Sequence, residues 1–338
     1  MRTLIVGFGK MGMLHAATVR MLPGGGDIVI AETSPLVRQG IAAIAPGTRV
    51  IADYAEALAD PALTHAVIAT PTASHAPIFR RVAARVPRIF VEKPFAADHA
   101  SAQAAADCLP SGARGGVRVG HCIRFSPLFL EAKRLLDAGA VGTIERFDAT
   151  MFSSDVLKPA KSWRFKGAAA GGGVLLDLGS HLVDMTRFFF GMPEELTGRT
   201  ESLVSAGTED RFESEWSYAG FSGRLEASWS KPDCRKASLQ IRVKGSNGEL
   251  SVSDDAVELR LASPAAGLPA GATRRSITAL ERPVPFDLAG TVYAMQLEAW
   301  WNAPIAGDAG VNSLDENLAD LRLLDAIRRS QGQRIRPR

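Results

Sequence analysis

The first twelve residues constrain the fold more than any other part of the sequence. A short apolar run, Thr3–Val6, leads directly into Gly7-Phe8-Gly9-Lys10-Met11-Gly12, which has the spacing G-x-G-x-x-G and opens a helix-length stretch. In such a strand–turn–helix unit the first glycine permits the tight turn, the second lets the backbone approach a pyrophosphate, and the third lets helix and strand pack closely. The helix N-terminus attracts the phosphates. The pattern therefore predicts a dinucleotide site along residues 7–12.

An acidic residue ends the second predicted strand. Glu32 lies twenty residues after Gly12, where a carboxylate accepts hydrogen bonds from the adenosine ribose. A carboxylate there also repels a 2′-phosphate, so NAD is favoured over NADP. Thr33 and Arg38 are assigned to the same end of the cofactor. Arg38 offers a cation for a 2′-phosphate, although the interpretation we favour is that it caps a helix or pairs with an acid.

The first third of the chain alternates buried strands with amphipathic helices. The predicted strands are continuous apolar runs, as in a sheet covered on both faces: Thr3–Val6, Ile28–Ala31, Arg49–Ile51, Ala66–Ala69, Ile89–Val91 and Val117–Val119. The predicted helices are Met11–Met21, Leu36–Ala45, Tyr54–Ala59, His75–Arg85 and Asp98–Leu109. This alternation predicts right-handed crossovers and a parallel sheet. Residues 1–120 are therefore predicted to form an α/β, doubly wound, dinucleotide-binding Rossmann domain.

The pattern changes near residue 120. Period-two alternation over residues 196–261 predicts antiparallel strands with one covered face, and Asn247-Gly248 predicts a hairpin turn. Other predicted elements are a helix over Leu128–Ala138, a strand over Ile144–Phe152, a helix from Gly171-Gly172-Gly173 to Phe190, a loop over 262–275, and helices over Val292–Trp301 and Leu314–Arg329. Residues 121–338 are thus predicted to form a C-terminal α+β domain for substrate binding and oligomerisation, with a large, mostly antiparallel open sheet. We expect residues 291–330 to pack back toward the first domain.

Three residues outside the glycine turn have side chains suited to proton handling. Lys93 follows the fifth predicted strand, and ligands of doubly wound folds sit beyond the carboxyl ends of strands. Asp177 and His181 are four residues apart on a predicted helix and therefore share a face. An imidazole moves a proton near neutral pH, and a carboxylate orients and tunes it.

Metal binding is an alternative interpretation of the same helix. Asp184 completes the row Asp-x-x-x-His-x-x-Asp, and such residues also ligate zinc or manganese. Because no cysteine or second histidine follows at a matching spacing, we expect no metal. A plain structural role for His181 also remains open.

These motifs in one chain resemble the Gfo/Idh/MocA family, named for glucose–fructose oxidoreductase, inositol dehydrogenase and a rhizopine-catabolism protein. The resemblance covers essentially the whole chain. It is carried by the opening glycine turn, Ala69-Thr70-Pro71-Thr72 with His75, Glu92-Lys93-Pro94, Trp163-Arg164, the run from Gly171 to His181, and Leu314-Asp315-Glu316.

The resemblance implies an NAD(P)-dependent oxidoreductase that acts on a secondary alcohol or ketone of a sugar or cyclitol-like substrate. It implies that Lys93, Asp177 and His181 surround the reacting carbon, with His181 as general acid or base and Lys93 stabilising charge on the substrate oxygen. Which of these two carries the proton stays open. It further assigns Thr70, Pro71, His75 and Glu92 to the cofactor, and Arg124, Trp163 and Arg164 to the substrate.

The sequence departs from the family pattern at one place. Many relatives read Gly-Phe-Asn-Arg-Arg-Phe where this chain has Gly120-His121-Cys122-Ile123-Arg124-Phe125. The loss of the asparagine and first arginine at Cys122 and Ile123 favours a less polar or modified sugar, or a non-sugar carbonyl. Cys122 as a reactive thiol is a further alternative.

Three other functions remain alternatives. One is tightly bound NAD used as a recycling catalyst for sugar elimination or hydrolysis. Another is reduction of a non-sugar carbonyl or imine. The third is a nucleotide-sensing protein without turnover, which would not require Lys93, Asp177 and His181.

Charge and cysteine content indicate the partners and the compartment. Lys plus Arg number 39 and Asp plus Glu 36, a net charge of +3 with no block of five basic residues, so we expect no nucleic-acid partner. The longest stretch without a charged residue, 61–79, holds three prolines, so we expect no membrane partner. Three cysteines without a CxxC pair, and a first segment that does not read as a signal peptide, predict a cytoplasmic protein.

The family resemblance implies a homodimer or homotetramer formed through an open sheet face that carries Glu213, Glu215 and Glu226.

Overall fold

The computed structural model describes residues 1–110, 112–157, 172–205, 207–234, 236–280, 284, 290–304 and 310–337. The chain divides into two compact units. The first comprises Met1–Cys122 with Val284–Leu318, and the second Ile123–Pro283 with Ala319–Arg338.

Six parallel strands form the sheet of the first unit. They are β1 (Arg2–Val6), β2 (Ile28–Ala31), β3 (Arg49–Ile51), β4 (Leu63–Ile68), β5 (Arg88–Val91) and β6 (Val117–Val119), in the order β3-β2-β1-β4-β5-β6. The order reverses between β1 and β4, and doubly wound folds bind ligands outside the carboxyl ends of the strands at such a point. The predicted Rossmann topology is confirmed.

Eight strands form the sheet of the second unit. They are β7 (Ile144–Phe152), β8 (Glu195–Glu201), β9 (Arg211–Tyr218), β10 (Phe221–Ser228), β11 (Ser238–Gly245), β12 (Gly248–Val252), β13 (Ala256–Leu261) and β14 (Gly271–Ser276). Their order is β14-β13-β12-β11-β7-β10-β9-β8, in which β7 and β10 pair in parallel and the other neighbours are antiparallel. This confirms the predicted mostly antiparallel sheet.

The α-helices in the described residues pack against these sheets. They are α1 (Lys10–Met21), α2 (Pro35–Ile44), α3 (His75–Ala83), α4 (His99–Ala106), α5 (Pro127–Asp137), α6 (Val174–Phe190), α7 (Ile277–Leu280), α8 (Thr291–Asn302) and α9 (Leu314–Ser330). Helix α6 lies on β7, β9 and β10, and α5 lies on β12 and β13. None of the helices among these residues has both the length and the apolar character needed to cross a bilayer.

Three local predictions differ from the structure. The helix predicted over Tyr54–Ala59 is a single 3-10 turn, Tyr54–Ala57, whose start is capped by the Asp53 side chain. Strand β14 lies in the segment predicted as a loop. The prediction failed because a polar edge strand carries no alternating apolar pattern. The predicted Asn-Gly hairpin joins β11 to β12, but Gly245 pairs with Gly248, so Ser246 and Asn247 form the turn.

The strand at the other edge of the second sheet, β8, pairs with a segment near the end of the chain. Leu196 N donates to Ile335 O and Ile335 N donates to Leu196 O, each over 2.8 Å. The end of the chain therefore covers part of this edge.

Helix α8 completes the core of the first unit. Its buried Leu297 and Trp300 pack in one cluster with Val67 of β4 and Phe90 of β5. His65 stacks on Trp301 with ring centroids 4.3 Å apart. Burial, with a smaller contribution from Arg88, lowers the pKa of His65 to about 4.

The buried imidazole of His65 makes stability depend on pH. Because its pKa is lower in the folded chain than in the unfolded chain, the unfolded state binds more protons as the pH falls below the ordinary value. The stability that neutral His65 contributes is present above about pH 6.5 and is lost as the pH falls toward 4. We expect the loss of unfolding free energy between pH 7 and 5 to be smaller in His65→Phe than in the wild type by about 1–2 kcal/mol. Urea denaturation at both pH values measures this, and equal losses in the two proteins would contradict it.

Candidate active site

The glycine turn before α1 has the close contacts that its spacing predicts. Gly7 has a φ of +86°, and a Cβ there would lie 2.9 Å from Ala69 O. A Cβ at Gly12 would lie 2.0 Å from Gly7 O, so the helix meets the strand at backbone distance. A Cβ at Gly9 would have nothing within 4 Å, and no side chain in the described residues caps α1. The N-terminus of α1 is therefore open to an anionic group.

The adenosine end of the predicted cofactor site is built around Glu32. Phe8 N donates to Glu32 Oε2 over 2.9 Å, and Ser34 N donates to Oε1 over 2.8 Å. Both contacts leave lone pairs on an ionised carboxylate for further donors. Glu32 thus joins the glycine turn to the end of β2.

Arg38 lies at the same end but not in the role that we favoured. Its Nη1 donates to the main-chain carbonyls of Glu32 (2.8 Å) and Thr33 (2.7 Å). The guanidinium therefore binds the backbone after β2 rather than an acid or a helix terminus.

The segments after β4 and β5 are joined by His75. Its Nε2 lies 2.7 Å from Thr70 O, and its Nδ1 lies 2.9 Å from Pro94 O. The ring is buried. Pro71, exposed, begins a 3-10 turn between Thr70 and α3. His75 is therefore a connection between two loops at the carboxyl edge of the sheet.

Lys93 lies in the loop of residues 92–95 that follows β5, here called the Lys93 loop. The Lys93 side chain is half-buried, whereas Glu92 beside it is buried. Glu92 Oε1 lies 2.6 Å from His15 Nε2. Phe95 N donates to Asn317 Oδ1 over 3.3 Å. Lys93 is thus presented from a loop held at both ends.

Helix α6 carries Asp177 and His181, both half-buried, on one face. Its start is held by Glu209, whose Oε1 accepts from Gly173 N (2.9 Å) and whose main-chain oxygen accepts from Val174 N (3.0 Å). An acid at this position also interacts favourably with the helix dipole. Glu209 therefore fixes the first turn, in which Asp177 lies.

Close packing continues along α6. A Cβ at Gly173 would lie 2.3 Å from Glu209 O, and one at Gly179 would lie 2.8 Å from the Phe212 ring. These two glycines set the distance between α6 and β9. Asp177 and His181 are consequently carried on a helix with little freedom to shift.

The structure places Arg124 in a buried ion pair. We expected it to face the substrate, but the residue is 3% exposed and its guanidinium binds Asp184. Arg124 Nε lies 2.9 Å from Oδ2, and Nη2 lies 2.8 Å from Oδ1. Its guanidinium carbon also lies 4.5 Å from the centroid of the Phe188 ring. A buried carboxylate requires a cation, and Asp184 obtains it from Arg124.

A second buried pair lies beside the first. Arg187 Nε donates to Asp320 Oδ1 over 2.5 Å. Burial and the neighbouring Asp184 carboxylate raise the pKa of Asp320 to about 8. These contacts tie α6 to α9 within the second unit.

Cys122 does not have the environment of a reactive thiol. Burial foremost, and the nearby charge of Glu92, raise the pKa of the Cys122 thiol to about 12. Its side chain hydrogen-bonds to Tyr293 of α8. The thiol therefore stays protonated at neutral pH and serves as a buried contact.

The predicted residues fall into groups within each unit. In the first unit the glycine turn, Glu32 and Arg38 lie together after β1 and β2, and Thr70, His75, Glu92 and Lys93 lie together after the neighbouring strands β4 and β5. The second unit holds Asp177, His181, Arg124 and Asp184 around α6. Trp163, Arg164 and Gly171 lie outside the described residues.

Two residues that help to build this region, His15 and Glu209, were not predicted from the sequence. His15 lies three residues after Gly12 on the buried face of α1, and a histidine at such a position reads as part of the core. Glu209 lies 36 residues from Gly173, and no local pattern links a helix start to so distant a cap.

Comparison with known families places both units. Residues 1–121 match the profile described as oxidoreductase family, NAD-binding Rossmann fold (Gfo/Idh/MocA). Residues 129–251 match the profile of the Gfo/Idh/MocA C-terminal domain.

Individual proteins give the same result. The inositol 2-dehydrogenase of Rhizobium meliloti (strain 1021) is 28% identical over 347 residues, which cover 98% of this chain and 96% of that protein. The levoglucosan dehydrogenase of Pseudarthrobacter phenanthrenivorans is 29% identical over 202 residues, 55% of this chain and 50% of that protein. A solved levoglucosan dehydrogenase in complex with NADH and L-sorbose has a TM-score of 0.87 at 21% identity and covers 100% of this chain and 99% of its own.

The buried pair of Arg124 and Asp184 gives a test of the role of Arg124. Removing one partner of a buried ion pair leaves an uncompensated charge, and we expect Arg124→Met to lower the free energy of unfolding by about 3–5 kcal/mol. The double variant Arg124→Met/Asp184→Leu should recover much of this loss, since both charges are gone. Chemical denaturation of the three proteins measures the effect. An Arg124→Met protein of normal stability with a raised KM would instead support substrate contact.

Proposed function

This chain belongs to the Gfo/Idh/MocA family of oxidoreductases, and we propose that it transfers a hydride between NAD and a secondary alcohol or ketone of a sugar or cyclitol-like substrate. The observation that carries the proposal is the combination, in the first unit, of an open glycine turn before α1 with Lys93 directly after β5. Both lie at the carboxyl ends of parallel strands, where doubly wound folds bind ligands.

The residues present fit a dinucleotide. The space above Gly9 and the uncapped start of α1 suit a pyrophosphate. The Glu32 carboxylate, held by Phe8 N and Ser34 N, is placed to accept from ribose hydroxyls. The dinucleotide supplies the hydride acceptor or donor. Because a carboxylate at Glu32 repels a 2′-phosphate, we propose NAD rather than NADP.

The proton is assigned to residues of both units, as the family resemblance implies. His181 acts as general acid or base, and Asp177, on the same face of α6, orients its ring. The Lys93 ammonium hydrogen-bonds the substrate oxygen and stabilises the negative charge that develops there.

The proposed substrate class follows from the relatives. The named relatives act on inositol and levoglucosan, a cyclitol and an anhydrosugar. Cys122 and Ile123 replace two polar residues of the common family pattern, which supports a substrate with fewer hydroxyl contacts on that side.

A substrate panel tests the proposal. myo-Inositol, scyllo-inositol, levoglucosan, common pyranoses and their keto forms are each offered with NAD or NADH while nicotinamide absorbance is followed. We expect turnover of at least one cyclitol or sugar, and Lys93→Met and His181→Asn should each lower kcat by about 100-fold or more. Asp137→Asn, at the exposed end of α5, is the control and should leave kcat unchanged. Full activity in both Lys93→Met and His181→Asn would contradict the assigned roles.

Glu32 provides a separate test of cofactor choice. We expect the wild type to have a higher kcat/KM with NAD than with NADP. Glu32→Ser removes the charge that repels a 2′-phosphate and leaves Arg38 nearby, so the NAD/NADP ratio of kcat/KM should fall by about tenfold or more. An unchanged ratio would show that Glu32 does not face the ribose.

We also propose a homodimer or homotetramer in the cytoplasm. The exposed face of the second sheet carries an ion network in which Arg211 contacts Glu201 and Glu226 over 2.8 and 3.0 Å, and Arg224 contacts Glu213 over 3.1 Å. Glu226 is 9% exposed because these cations cover it. A polar interface on this face is the arrangement that we propose. The three cysteines are free thiols, as suits a reducing compartment.

A further inference from the structure

A histidine on the helix of the glycine turn contacts the carboxylate beside Lys93. His15 Nε2 lies 2.6 Å from Glu92 Oε1, and the two side chains are 0% and 11% exposed. The His15 ring also packs edge-on against Phe90, with centroids 5.1 Å apart. Aromatic packing therefore sets the orientation in which the ring meets Glu92.

The second carboxylate oxygen holds the Lys93 loop. Lys93 N donates to Glu92 Oε2 over 3.2 Å. Gly120 confines the Glu92 carboxylate from the opposite side, because a Cβ at Gly120 would lie 3.2 Å from Glu92 Cδ and from both carboxylate oxygens. Glu92 can thus occupy little other space, and its position decides how Lys93 leaves β5.

The contact requires an ionised carboxylate and a protonated Nε2. Burial by itself would raise the pKa of Glu92, but the hydrogen bond from His15 and the charge of Lys93 lower it below its usual value. An ionised carboxylate only accepts hydrogen bonds, so His15 Nε2 is the donor. His15 Nδ1 has no hydrogen-bond partner within the described part of the chain, so the polar contact of this ring is made through Nε2.

We propose that His15 is a positioning residue that acts through Glu92 to hold the Lys93 loop in place. Helix α1 begins at the turn assigned to the pyrophosphate and passes His15 in its second turn. The pair His15–Glu92 therefore connects the element that binds the cofactor to the loop that presents Lys93 to the substrate. The catalytic consequence rests on the proposed function, whereas the effect on the loop does not.

Two amide substitutions separate the hydrogen bond from general packing. Glutamine places its Nε2 close to the ring Nε2 and can still donate to Glu92. Asparagine is shorter and places its amide near the Nδ1 position, where the ring has no partner in the described residues. His15→Gln and His15→Asn are compared with Thr18→Val, a buried polar residue on the same helix whose hydroxyl donates to Leu14 O.

The first readout is hydrogen–deuterium exchange of the peptide that spans the Lys93 loop, measured without NAD or substrate. We expect exchange in His15→Asn to be about tenfold faster than in the wild type, because the Glu92 carboxylate loses its fixed position. Exchange in His15→Gln and Thr18→Val should stay within about threefold of the wild type. Wild-type exchange in His15→Asn, or equally fast exchange in His15→Gln, would overturn the proposal.

The second readout separates binding from chemistry, using the best substrate of the panel. His15→Asn should lower kcat by about tenfold or more, while the Kd for NADH, measured by fluorescence, changes by less than about threefold. His15→Gln should restore kcat. A loss that appears only in the NADH Kd would show that His15 merely supports α1, and would overturn the proposal.

A third variant covers the case in which His15→Asn does not fold. The side chain of Glu92→Leu can neither donate nor accept a hydrogen bond, so this variant loses both the His15 and the Lys93 contacts. Faster exchange of the loop is expected, and wild-type exchange would reject the mechanism. Because exchange is measured without cofactor or substrate, a protein whose loop responds as expected but which turns over nothing in the panel would refute the proposed function alone.

Discussion

The close approach of α1 to the central strands is the constraint on which the first unit depends. Gly12 lies where a Cβ would be 2.0 Å from Gly7 O, a distance at which no side chain fits. This contact lets α1 begin directly at the end of β1 and brings its main-chain N–H groups to the point where the strand order reverses. It also brings His15 down onto Phe90 and within reach of Glu92. The absence of a side chain at Gly12 therefore determines the glycine spacing, the placement of α1 and the position of the Lys93 loop.

The second unit uses a similar device. Gly173 and Gly179 bring α6 against Glu209 and Phe212, as Gly12 brings α1 against β1. In each unit glycines set the distance between a helix and the sheet: α1 in the first unit, and α6, which carries Asp177 and His181, in the second. The polar contacts then fix orientation: Glu92 for Lys93, and Glu209 for the first turn of α6. A helix packed through glycine has little freedom to move relative to the sheet. A proton-handling group needs such a fixed position for reproducible geometry.

Much of this architecture could be predicted from the sequence, because it depends on local patterns. The strands of the first sheet, β7 and the long helix α6 follow from their apolar patterns and from the glycines that precede them, although β4 begins at Leu63, three residues before its predicted start at Ala66. Strand β14 could not be predicted, since an exposed edge strand lacks the alternation that marks a covered face. The ion pair of Arg124 could not be predicted either, because a sequence motif does not reveal that Asp184, sixty residues away, binds the guanidinium. Contacts such as His15–Glu92, 77 residues apart, are set by the fold and have no signature in either segment.

The two ends of the second sheet have a consequence for how this protein behaves at high concentration. Strand β14 forms one border and places Arg274 and Arg275 along it, while the chain terminus, through Ile335, occupies part of the border at β8. Unpaired sheet borders recruit strands from other molecules, and cationic side chains or a covering segment prevent this. Both borders of the eight-stranded sheet thus carry features that oppose the addition of strands from other molecules, which disfavours fibrous aggregation.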